Sequence, residues 1–115
     1  MESILTSIKK LLGIAEEYEQ FDTDIIIHIN SALSILTDIG AGPANGFSIS
    51  DKTATWNDFM NGDLDLEPVK SYVYLKVKLL FDPPASSAVM ESMNRLISEL
   101  EWRISVAVDP GKTVS

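Results

Sequence analysis

ASSAVMESMNRLISELEWRISV, residues 85–106, decides the fold class. Val89, Met93, Leu96, Leu100 and Ile104 recur at spacings of four and three, the spacing that lines one side of an α-helix. Ser86 or Ser87 supplies an N-cap oxygen, Glu91 falls in the early turns, and Asp109-Pro110-Gly111 ends the pattern. Upstream, Asp82-Pro83-Pro84 breaks the chain. Ahead of that break Val69, Tyr72, Val73, Val77 and Leu80 form a second stripe, with Lys70, Tyr74 and Lys78 on another face. This second helix starts near Pro68, whose missing N–H costs nothing in a first turn.

A third helix runs from Thr23 to Ile39. Asp22 or Thr23 is the expected N-cap, Asp24 suits the positive end of the helix dipole, and Gly40 is the expected stop. Ile25, Ile29, Leu33, Leu36 and Ile39 mark its stripe, and Ile26 and Ile27 widen the apolar surface. Three β-branched residues in a row weaken helical propensity, and a local strand over Ile25 to Ile29 is the alternative. The stripe's continuation to Ile39 favours the helix. Ser3 to Leu12 is a short helix in which Ile4, Leu5, Ile8, Leu11 and Leu12 recur at the helical period, with Lys9 and Lys10 facing the other way, ended by Gly13. Between residues 41 and 55 the turn formers Gly42, Pro43, Asn45 and Gly46 predict a loop or arm, with Phe47 and Ile49 alternating as in a short strand. Thr55 caps a short helix holding Trp56, Phe59 and Met60, and Asn61-Gly62-Asp63 ends it. The expected architecture is all-α: a bundle of four to five helices, one domain over residues 1–108, an extended loop around 41–55 and a flexible tail over 109–115.

The chain has 115 residues, 45% of them hydrophobic, which suffices for one core. It has no cysteine, which excludes disulfides and thiolate metal sites. A net charge of -8 opposes docking onto DNA phosphates or an anionic membrane. The isoleucine run at Ile25 to Ile27 stops at His28, far short of the roughly 20 apolar residues a membrane span needs. Glu2 precedes Ile4 and Leu5 and the first lysines come at Lys9 and Lys10, the wrong order for a signal peptide.

No chemistry-bearing constellation stands out. His28 is the sole histidine and has no cysteine or identifiable serine partner. Asp63, Asp65 and Glu67 have carboxylates at alternate positions but lack the glycine and distal glutamate of a calcium loop. Gly40-Ala41-Gly42-Pro43 follows a helix and lacks the Gly-Lys-Ser/Thr of a phosphate loop. The expectation is a non-enzyme with no catalytic residue, cofactor or metal. Lys70, Lys76 and Lys78 are too few for a nucleic-acid site and suit an acidic neighbour, including a second copy of the chain. Trp102, off the main stripe and near Arg95, reads equally as an interface anchor or as a second packed face against the amino-terminal helix.

Ser7-Ile8-Lys9-Lys10-Leu11-Leu12-Gly13-Ile14 followed by Phe21-Asp22-Thr23-Asp24-Ile25-Ile26 resembles the opening of the tailed-phage head–tail connector (adaptor) proteins. Leu36 to Gly42, Gly46-Phe47, Trp56, the block Val73 to Pro84, Met93 to Ile97 and Glu101-Trp102-Arg103 resemble the subgroup from phages and prophages of Gram-positive bacteria. The likeness spans nearly the whole chain. It implies a helical structural protein of the virion, assembled in the host cytoplasm as a ring of about 12 copies under the portal protein. It further implies a channel that passes DNA without sequence-specific binding, and a platform for a downstream head-completion or stopper protein. On this resemblance the tail, Asp109, Pro110, Gly111, Lys112, Thr113, Val114 and Ser115, docks on the portal. Lys70, Tyr74, Lys78, Arg95 and Trp102 are the candidate subunit-interface residues. The competing expectation is a small acidic interaction module that binds a host protein as a monomer or dimer.

Overall fold

The computed structural model describes residues 2–60 and 65–108. Among the described residues five helices follow one another: α1 (Ile4–Leu11), α2 (Asp22–Ile39), α3 (Trp56–Met60), α4 (Leu66–Phe81) and α5 (Ser87–Val108). Helix takes up 67% of the described residues, which form no strand, so the all-α expectation holds. The one β-like contact among the described residues is an isolated antiparallel bridge between Ser3 and Thr55. Asn61, Gly62, Asp63, Leu64 and the tail from Asp109 to Ser115 lie outside the described residues.

α4 is the central helix. It packs on α2, on α5 and on α1, and α2 also touches α1 and α5. The stripes supply the core: Ile25, Ile29, Ala32, Leu33 and Leu36 from α2, Val69, Tyr72, Val73, Leu75 and Val77 from α4, and Ile97, Leu100 and Ile104 from α5. Gly40 ends α2 in the left-handed region at φ 111°, where its N–H reaches the carbonyls of Leu36 and Thr37. α3 starts with a reciprocal cap. The Asp58 N–H donates to Thr55 Oγ1 at 3.2 Å, and the Thr55 N–H donates to Asp58 Oδ2 at 2.9 Å. That fixes Trp56, which is fully buried and donates its indole N–H to Ser7 Oγ on α1 at 2.8 Å.

The 41–55 loop is held against the bundle. The Asn30 side chain on α2 donates Nδ2 to the Ile49 carbonyl at 2.9 Å and accepts the Ile49 N–H on Oδ1 at 2.7 Å. One amide thus replaces a neighbouring strand for the loop backbone, and Ile49 is buried. Phe47 packs edge-on to Phe59 at 5.5 Å. Gly42, at φ 76°, lies so close to Phe59 that an added Cβ would fall 2.4 Å from the ring. Replacing Asn30 with alanine leaves both Ile49 backbone groups without that partner. The expected cost is about 1–3 kcal/mol, and amide hydrogen exchange at Ile49 should speed up while exchange in α4 stays slow. Unchanged exchange at Ile49 would mean that packing alone holds the loop.

Three expectations are corrected. Lys9 does not face outward. The connector between α1 and α2 folds back over it and leaves its side chain 2% exposed. Its Nζ donates to the carbonyls of Glu16 at 2.9 Å and Tyr18 at 2.7 Å. It also meets Asp22 Oδ1 at 2.8 Å, an ion contact in which that oxygen makes no hydrogen bond of good geometry. Asp22 is therefore the first residue of α2 and a counter-ion rather than a cap. Phe21 occupies the cap position without a side-chain bond. Finally, the outer parts of two stripes are uncovered: Leu80, Val89 and Leu96 are exposed. α5 has 22 residues against 16 in α4, a surplus of about 9 Å. The start of α4 lies beside Arg103, Ile104 and Ala107, so the surplus falls at the amino-terminal end of α5.

Candidate functional site

α5 carries the most exposed large apolar side chain among the described residues. Trp102 is 67% exposed, which removes the reading of a second packed face. The buried edge of the helix is set by Ile97, Leu100 and Ile104, and Trp102 lies on the side away from it, because two residues past Leu100 is more than half a turn. Seven residues earlier, about two turns, Arg95 shares that side. Arg95 is itself exposed, with a long contact to Glu91 at 3.9 Å and an exposed hydrogen bond donated to Ser92 Oγ at 3.4 Å. Exposed pairs of that kind contribute little, so the guanidinium is available to a partner. On the adjoining flank Val89, Met93 and Leu96, with Ala88 and Ser92, line an apolar groove of about 290 Å³.

The lysine face of α4 is less free than its sequence suggests. Lys70 Nζ lies 2.9 Å from Glu2 Oε1, and Lys78 Nζ lies 2.9 Å from Asp82 Oδ2 one turn on. Both lysines and Tyr74 are half-buried. The face therefore offers neutralised pairs to a neighbour rather than a positive patch. The structure does not bring Lys70, Tyr74 and Lys78 together with Arg95 and Trp102 into one hydrogen-bonded cluster; they are features of two helices.

A third feature was not legible in the sequence. Asn30, Ser34, Thr37 and Asp38 of α2, with Asn45, Gly46, Phe47 and Ser48 of the loop, line a recess of about 420 Å³. It exists because Asn30 pins the loop beside the polar side of α2. On the same outward side Ile27 is 56% exposed, which uses the surplus isoleucine for surface rather than core.

Among the described residues the titratable groups show no catalytic pattern. Tyr72 is the one strongly perturbed case: burial, then its 2.7 Å hydrogen bond to Glu101 Oε2 and that group's charge, push the phenol far above its usual value of 10.0. The bond ties α4 to α5 and keeps the phenol protonated, which is a structural use. Thr53 lowers the exposed Asp51 carboxyl through a side-chain and then a backbone hydrogen bond, within one turn of the loop. His28 is half-buried on α2. Among the described residues no three His, Cys, Asp or Glu side chains are grouped to hold a metal ion, and no helix is long and apolar enough to cross a membrane. Of the acidic triplet, Asp63 lies outside the described residues.

The arrangement is thus a helical packing unit with an exposed tryptophan on α5 and a recess beside α2. Comparison with known proteins agrees. No curated protein and no solved structure matches the chain. The family model for phage connector proteins matches residues 4–111 and so takes in all five helices. By that match the chain belongs to the phage connector protein family, structural proteins of the bacteriophage head–tail junction.

Proposed function

We propose that this protein is the head–tail connector (adaptor) of a tailed phage or prophage of a Gram-positive host. About 12 copies form a ring under the portal protein, as head-to-tail contacts that close can do. The ring is assembled in the host cytoplasm, extends the DNA channel and presents a platform to a downstream head-completion or stopper protein. Residues 1–108 act as the connector domain, and the tail from Asp109 to Ser115 docks on the portal.

The observation that carries this reading is Trp102. A family of structural connectors works through protein contacts, and here a large aromatic stands 67% exposed on the longest helix with Arg95 on the same side. Tryptophan and arginine are the side chains most often found to dominate binding energy at interfaces. Lys70, Tyr74 and Lys78 supply a second contact face. The net charge of -8 per copy supports an acidic lumen that lets DNA slide.

The test is negative-stain electron microscopy of the purified protein, alone and mixed with the portal protein of the same phage. Rings, or an added layer on the portal, are the expected result. Trp102→Ala should weaken assembly at least about tenfold and leave the monomer's thermal unfolding unchanged. A folded protein that neither forms rings nor binds portal at high concentration would overturn the reading. Full assembly of the Trp102→Ala variant would remove Trp102 from the interface.

A further inference from the structure

We infer that Trp102 and Arg95 of one copy dock in the recess beside α2 of the next copy, with Trp102 against Phe47 and Arg95 on Asp38. The inference rests on the ring reading above and names the two surfaces that meet.

Size, charge and spacing all favour this pairing. The recess, about 420 Å³, is in the size range of pockets that hold a small molecule and has room for an indole. Its wall includes Phe47, whose ring packs edge-on to Phe59 at 5.5 Å. An aromatic wall suits an aromatic guest. Its charge is a single carboxylate, Asp38, with no basic side chain in the lining, and α2 contains no lysine or arginine. A guanidinium therefore meets attraction and no competitor. The spacing also matches. Trp102 and Arg95 are seven residues apart on α5, about 10.5 Å along the axis. The recess runs along α2 from Asn30 to Asp38, eight residues or about 12 Å.

Other depressions fit less well. The one between α1 and the connector sets Lys9 and Lys52 among Glu16, Glu19, Asp22 and Asp51, and the small one at the start of α4 sets Arg103 beside Asp65, so in each a basic side chain already competes for the carboxylates, and neither wall holds an aromatic side chain. The groove at Val89 and Leu96 has no charge to select a partner. The anchor and the recess are different patches on each copy, so the contact can propagate head to tail, the geometry a ring requires.

A charge-swap series on portal-assembled protein tests the pairing. Ring occupancy is counted by electron microscopy for the wild type, Asp38→Arg, Arg95→Asp and the double variant. Each single change should lower assembly about tenfold, and the double change should restore it to within about threefold of wild type, since charge pairs closed at an interface couple strongly. All three variants should unfold at the wild-type temperature, because both side chains are exposed. Single variants that assemble normally, or a double variant no better than the singles, would overturn the pairing while wild-type rings leave the connector reading standing. Wild type that forms no ring at all would overturn both.

Discussion

Replacing Lys9 with methionine is expected to lower folding stability by about 3–5 kcal/mol, the usual cost of removing one member of a buried ion pair. Methionine keeps most of the apolar stem, so the effect isolates the ammonium. In the native protein that group is the shared anchor of the whole α1–α2 connector. It holds the Glu16 and Tyr18 carbonyls and stands 2.8 Å from Asp22. Without it, two carbonyls lose their donor and Asp22, which is only 23% exposed, keeps its charge without a counter-ion. The aromatic chain next door, Tyr18 on Phe21 at 5.6 Å and Phe21 on Phe81 at 5.4 Å, depends on the same fold-back. Urea unfolding should show a lower midpoint with little change in slope. Lys10→Met is the control: Lys10 is exposed, and its loss should stay within about 0.5 kcal/mol. A Lys9→Met variant as stable as that control would mean that water enters and takes over the ammonium's bonds.

Trp56→Ala is the second large effect, with an expected loss of about 3–5 kcal/mol. Trp56 is completely buried at the meeting point of α1, α3 and the loop. The change removes a large apolar surface and leaves a cavity that the capped α3 cannot easily close. It also ends the indole bond to Ser7 Oγ. Ser7 itself still donates to the Ile4 carbonyl at 3.0 Å, so the serine is not orphaned. The reciprocal change, Ser7→Ala, leaves the indole N–H buried without its partner and should cost less, about 1–3 kcal/mol. A marginal protein holds only about 5–15 kcal/mol in total, so Trp56→Ala should lose most of its folded population in mild denaturant. Circular dichroism melts of both variants check the order. If Ser7→Ala proved the more damaging of the two, the hydrogen bond rather than the volume would be the dominant contribution.

The helices themselves were readable along the chain. Gly40, Pro68 and the Pro83-Pro84 pair mark boundaries because their backbone preferences act within one or two residues. The cap at Thr55 was readable for the same reason, since its partner Asp58 is three residues away. Asp22 misled on that reasoning. Its local chemistry suits a cap, yet Lys9, thirteen positions earlier, claims its carboxylate across the connector. Of the candidate surface, Trp102 and Arg95 could be placed on one side of α5 from their spacing. The recess could not be foreseen, because it is made by Asn30 and Ile49 meeting across nineteen positions.

The all-α class, the helix positions and, through the likeness to connector proteins, the kind of work the chain does were legible along the chain. Those follow from local rules: 3.6-residue periodicity and turn residues acting over a few positions. Only the tertiary structure decided which side of each helix is covered. It buried Lys9, uncovered Leu80, Val89 and Leu96, and left Trp102 outside. Burial depends on what lies across from a side chain, and that neighbour is chosen by helix lengths and by the path of the connectors, which no stretch of one helix contains.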